Sequence, residues 1–171
     1  NAILLSVIIG ISQGSQPIIG FNYGARQYAR VRGIYKLAIG CNLVISAIGF
    51  ILFQFFPRQI IGLFGNGDEL YFDFAEKFMR IFLMMVIVNG CQLISSNFFA
   101  AIGKPIKGVF LSMTRQVIFL IPLILILPLL FGINGIMFAA PVADSIAFIT
   151  TMIIITLEFR HMRRLEHVSA A

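Results

Sequence analysis

Charge is scarce in this chain of 171 residues: 12% are Asp, Glu, Lys or Arg, against 59% hydrophobic. Soluble domains carry about 25% charged and about 45–50% apolar residues. A soluble chain of this length could not hide so much apolar surface, and the mean hydropathy of +0.96 agrees. Tryptophan is absent and there are two cysteines. Cys41 and Cys91 stand singly in apolar runs and match neither a metal spacing nor a disulfide framework, so both read as small packing residues. The two histidines, His161 and His167, lie near the end of the chain with no Ser, Cys or acid spaced as nucleophile and base. The Gly65-Asn66-Gly67 turn lacks a following Lys-Ser/Thr, which argues against a phosphate loop, and no soluble motor segment is present for a nucleotide-driven pump. These gaps argue against an enzyme and against a bound cofactor or metal. The chain opens as NAILLSVIIG, without an initiating Met or a signal-peptide layout, and the expectation is the rear portion of a longer protein.

What is present is an alternation of long uncharged runs and short polar breaks. A bilayer core needs about 20 apolar residues from a helix. The runs place spans at about 1–24, 37–56, 81–103, 108–131 and 136–157. Pro57 ends the second, and 57–80 is mixed, with a turn over 65–68. Lys104, Pro105 and Lys107 make a tight basic turn, and Gly132, Asn134 and Gly135 a short one. The segment 1–158 therefore reads as an all-α transmembrane bundle and 159–171 as a basic tail, disordered toward its end. The net charge of +6 invites a nucleic-acid partner, but the basic residues sit between apolar spans, where they orient the chain and meet anionic lipid. Alternate crossings put nine Lys/Arg on one side (24–36, 104–107, 160–164). The other side carries three, among four acids. The positive-inside bias makes the first side, and the carboxy terminus, cytoplasmic.

The stretch 13–32, QGSQPIIGFNYGARQYARVR, organises the rest. An apolar span turns basic within one turn at Arg26. Gln13, Gln16 and Pro17 lie inside that span. Proline leaves the carbonyl of Gln13 without its helical partner, and lipid cannot supply one, so this face should turn toward protein or a wet cavity. Gly10, Gly14, Gly20 and Gly24 add small surfaces at close-packing spacing. A helix ending in QGxQPIxGxNYGA and followed by RxxxR resembles the eighth-helix exit of the MATE (multidrug and toxic compound extrusion) transporters. AIGKPIKG, RQxxFLIPLxLILPLxFGINGI and PVAD are similar to the same family in the same order, and to its bacterial multidrug-export branch. The resemblance implies the eighth to twelfth helices of a twelve-helix, two-lobe antiporter of the bacterial inner membrane. Its partners would be the missing first lobe of the same polypeptide, an amphipathic or cationic drug or toxic metabolite, and a coupling cation, proton or sodium. Two alternatives stand beside it. A lipid-linked oligosaccharide flippase of the same superfamily should have a more basic cavity, and Arg115 is the one base within a span. A non-transporting scaffold subunit should tolerate replacement of its buried polar residues.

Intramembrane polar groups are the candidate site. Asn89, Gln92 and Ser96 recur at helical spacing on one face of the third span, either lining a cavity or bonding between helices, the latter worth about 1 kcal/mol or less each. Some MATE relatives carry an acid near the position of Cys91 or Gln92; none is present here, which puts a cation site of that kind in doubt. Gln13 and Gln16 are further cavity candidates. Arg115 and Asp144 are the charges set deepest in the spans, and such groups face inward and pair. At 1.5 Å per residue, Arg115 lies about 12 Å and Asp144 about 20 Å from the same membrane face. A long arginine side chain can close the remaining gap if the helices are neighbours. Asp144 shares its face with Ala140, Ala147 and Thr151, small enough for close approach.

Overall fold

The computed structural model describes residues 2–63 and 68–169; the turn expected at 65–68 lies largely outside them. Helices α1 (Ala2–Gly24), α2 (Tyr28–Phe55), α3 (Pro57–Gly62), α4 (Glu69–Phe82) and α5 (Val86–Ala101) come first. Then α6 (Pro105–Met113), a π-helical segment (Thr114–Leu120) and α7 (Ile121–Phe131) follow end to end, and α8 (Ile133–Ser169) closes the chain. No strand occurs among the described residues. Up to five long apolar stretches can cross a bilayer, the third of them bent, and the protein is an all-α integral membrane protein.

The polar breaks in the sequence become helix ends because each supplies a terminator. Arg26 sits at φ 58°, the left-handed conformation that closes a helix, and Gln27 N–H returns to the Asn22 carbonyl at 2.9 Å. Gly103, at φ 74°, closes α5 in the same way, with Lys104 N–H on the Phe99 carbonyl at 2.9 Å. Pro57 and Pro105 stand in the first turns of α3 and α6, where a missing N–H costs nothing.

Helix α5 is the axis of the bundle, packed against α1, α2, α6 and α8. Ile94, Phe98 and Phe99 are buried on it. Tyr35 and Phe159 stack edge-on to Phe98, with ring centroids 4.9 and 5.9 Å away. Beyond this centre the bundle is apolar outward: Phe21, Leu37, Val44, Leu125 and Ile153 are all exposed, as lipid-facing side chains are. The inside–outside logic of a soluble domain is therefore replaced by a polar-seamed interior under an apolar coat.

Three features depart from the sequence reading. The run 81–103 is not one straight helix. It breaks at 83–85, and α4 meets α5 at 48°. Arg58 holds α4 from outside the bundle, through Asp73 and through Glu76 at 2.8 Å, and Gln54 donates to the Arg80 carbonyl at 2.9 Å. The direction of α5 is set instead by the four helices around it. The tail, expected to be disordered toward its end, is helical to Ser169, with 170–171 outside the described residues. Phe159 and Leu165 are half-buried and Met162 fully buried, so α8 carries its packed face past the last apolar run. Of the four glycines in α1, Gly20 alone makes a close approach, to the Ala101 carbonyl; a Cβ on Gly10, Gly14 or Gly24 would meet no described atom within 4 Å.

Candidate functional site

The polar stripe on α5 faces α6 and the π segment. Gln92, 5% exposed, donates to the Leu111 carbonyl at 2.8 Å. Ser96 donates to the Gly108 carbonyl at 2.7 Å and lies 2.8 Å from the Ser112 hydroxyl. Gly108 makes this possible, because a Cβ there would stand 2.6 Å from the Ser96 carbonyl. Asn89, one turn from Gln92, opens onto a cavity of about 220 Å³ lined by Asn89, Gln92, Leu93, Ser112, Arg115 and Gln116. Thus Ser96 holds two helices together, Asn89 lines a space, and Gln92 does both.

The geometry of the cavity depends on the π segment. An α-helix would carry Arg115 and Gln116 around at 3.6 residues per turn. The wider π turn changes that phase, and such segments recur at functional sites. Two local causes adjoin it. Gln92 docks on a carbonyl just before it, and Pro122, two residues after it, cannot donate to the helix ladder. Arg115 lines the cavity and donates Nε–H to Asp144 Oδ1 on α8 at 2.5 Å. The Asp144 side chain is 6% exposed and that of Arg115 23%. Ala140, Ala143 and Ala147 are buried beside Asp144 and let α8 come close. The structure therefore gathers Asn89, Gln92 and Arg115 at one cavity with Asp144 directly behind it.

Gln13 and Gln16 are not at this cavity. Gln13 and Pro17 lie on an exposed face of α1, with Gln16 half-buried beside it. One polar contact between α1 and α5 is through Ser12, whose hydroxyl receives Asn97 Nδ2 at 2.8 Å. Cys91 is buried and accepts from Asn42 Nδ2 at 3.4 Å, whereas Cys41 is exposed and packs into no core. Sequence reasoning missed Asn42, and also Ser46, which donates to it at 3.2 Å. A single Asn in a long apolar run is itself a signal of an inward face. Gly90 admits that side chain: a Cβ there would fall 1.9 Å from Asn42 Oδ1.

A second charged cluster closes the other end of the same seam. The carboxylate of Glu158, 1% exposed, accepts from Lys104 and from Lys107, the latter at 2.8 Å. Burial alone would push the Lys104 ammonium down, but hydrogen bonding and attraction to Glu158 outweigh it and hold it above the ordinary lysine value. Arg32 pairs with Glu166 at 2.8 Å. The three basic segments 24–36, 104–107 and 160–164 thus share one end of the bundle. Sequence reasoning did not single out Glu158, although it is the first acid after an apolar run.

The MatE family model matches residues 1–126 of this chain. A protein named multidrug export protein MepA from Staphylococcus saprophyticus is 26% identical over 151 residues, covering 88% of this chain and 33% of that one. Its namesake from Staphylococcus aureus strain N315 is 24% identical over the same lengths. The chain spans about a third of the length of these curated relatives. Among solved structures, the MATE multidrug transporter DinF-BH, solved as a complex, is 35% identical, with a TM-score of 0.84 over 90% of this chain and 34% of that one. A MATE protein in its straight conformation is 16% identical and shares the fold, with a TM-score of 0.87 over 95% of this chain and 36% of its own. A helix bundle with this fold, matched by the family model from its first residue through Ile126, belongs to the MatE family.

Proposed function

We propose that this chain is the second-lobe portion of a secondary active multidrug antiporter, contributing its eighth to twelfth helices. It exports amphipathic or cationic compounds in exchange for protons or sodium, together with a first lobe that the chain itself does not contain. It sits in a bacterial inner membrane with the Lys104–Glu158 end and the carboxy terminus in the cytoplasm. The observation that carries this reading is the polar cavity at α5 and the π segment, set in a bundle whose outer surface is apolar. A helix bundle kept wet along one seam gives an amphipathic solute a path that lipid does not. In this reading Asn89 and Gln92 line the path, Ser96 fixes its wall, and the Arg115–Asp144 pair orients the helices that form it. Gln13 and Gln16 present a polar face of α1 toward the first lobe. Arg115 is the one charged residue among the described lining residues, too little positive charge for a pyrophosphate-linked substrate.

The test is Gln92→Leu in the complete protein expressed in drug-sensitive cells. The expected result is a changed order of resistance across a panel of dyes and drugs at near-normal abundance. Resistance that falls uniformly, in step with abundance, would reduce the stripe to packing and remove the support for a substrate cavity.

A further inference from the structure

We infer that the cavity between α5 and the π segment is a subsite for a carboxylate group, and that Arg115 receives it. This rests on the export reading and narrows the exported amphipathic or cationic compounds to those that also bear a carboxylate. Three observations carry it. The first is charge: among the described lining residues Arg115 is the only ionisable one, and Asp144 lies behind it rather than on the wall. A cavity built for a cation would show the carboxylate and hide the guanidinium; here the order is reversed. The second is donor supply. Arg115 reaches Asp144 through Nε, at one edge of a guanidinium that carries five N–H donors in a planar fork. Arg58 in this same chain shows the fork with two carboxylates on it, Nε on Glu76 at 2.8 Å and Nη2 on Asp73. Asn89 and Gln116 add amide donors around the same space. The third is size. At about 220 Å³ the cavity is smaller than the ~300–1,000 Å³ of sites that enclose a drug-sized molecule. It fits one substituent of a larger compound, and the donors select an acceptor-rich one.

A guanidinium shared between a fixed carboxylate and an arriving one stays positioned before the ligand enters, so little ordering is left to be done on binding. Asp144 is then a positioning residue and Arg115 the contact.

The experiment uses two dyes that differ only at the group in question: a xanthene dye carrying an ethyl ester, and its free carboxylic acid. Equilibrium binding of each to the purified complete protein in detergent is measured by fluorescence anisotropy. The acid is expected to bind about tenfold more tightly than the ester, the low end of what a hydrogen bond to a charged group is worth. The double variant Arg115→Gln/Asp144→Asn, which strands no charge, should bind both dyes alike. Asn89→Leu leaves the ion pair intact and should weaken the acid severalfold more than the ester, which guards against a double variant that fails to fold. An acid that binds no more tightly than its ester, or a preference that survives in the double variant, overturns the subsite. Flux separates the two readings. Discrimination in binding without gradient-driven export leaves the subsite standing and removes the export reading, whereas export of both dyes without discrimination does the opposite.

Discussion

Removing one partner of the Arg115–Asp144 pair is the perturbation whose size can be worked most fully from the structure. Arg115→Met leaves a carboxylate that is 6% exposed beside three buried alanines. Breaking a buried pair from one side costs about 3–5 kcal/mol, and insertion scales put an unpaired mid-span charge at about 2.5–3.5 kcal/mol. The two ranges meet at roughly 3 kcal/mol for Arg115→Met. Asp144→Leu should cost less, because the arginine side chain is 23% exposed and its long stem can carry the charge toward the headgroups. The double variant removes both charges and leaves neither stranded, so it should be close to neutral. The cycle therefore predicts a coupling of about 2 kcal/mol or more, within the range seen for residues in contact. The assay is the loss of the monodisperse peak on size exclusion after heating the complete protein in detergent. The reciprocal swap, Arg115→Asp with Asp144→Arg, should likewise recover part of what each single change loses. Single losses that simply add, to within about 0.5 kcal/mol, would refute the pair as an energetic unit.

Two further outcomes follow from the same packing. Gly90→Ala would place a Cβ 1.9 Å from Asn42 Oδ1 and should cost at least about 1–3 kcal/mol in the same heating assay, with partial recovery when Asn42→Ala is added. Full stability of Gly90→Ala alone would mean that α2 and α5 do not approach as described. For topology, single cysteines at the exposed positions Gln27 and Pro105 should be shielded from an impermeant thiol reagent outside intact cells, and one at Gln59 should react. Labelling of position 27 from outside would invert the proposed orientation.

The spans were legible because bilayer length and helix rise leave little freedom: a long uncharged run bounded by Pro, Gly or Arg becomes a membrane crossing, straight or bent. Gly103 and Arg26 ended their helices where the polarity changed. The stripe Asn89, Gln92, Ser96 could be read as one face from spacing alone, but not what it faces. Gln92 and Ser96 face α6, and what Asn89 faces depends on the phase of the π segment, which begins three residues after the Leu111 carbonyl on which Gln92 docks. The break at 83–85 was hidden for a related reason: Leu83, Met84 and Met85 carry no breaker, and the contacts of α4 with Gln54 and Arg58 lie far from it in sequence. The helical tail could have been found. Glu158, Met162 and Glu166 repeat every fourth residue, but a basic composition masked a packed face.

The central claim is that the complete protein moves an amphipathic solute against a gradient at the expense of a cation gradient. The direct measurement reconstitutes it in liposomes loaded with a fluorescent amphipathic dye, with proton and sodium gradients imposed one at a time. The expected result is dye movement opposite to one of the two cations, abolished when that gradient is collapsed by its own ionophore and reduced by Gln92→Leu. Dye movement indifferent to both gradients, or none from protein shown to be folded and inserted, would contradict it.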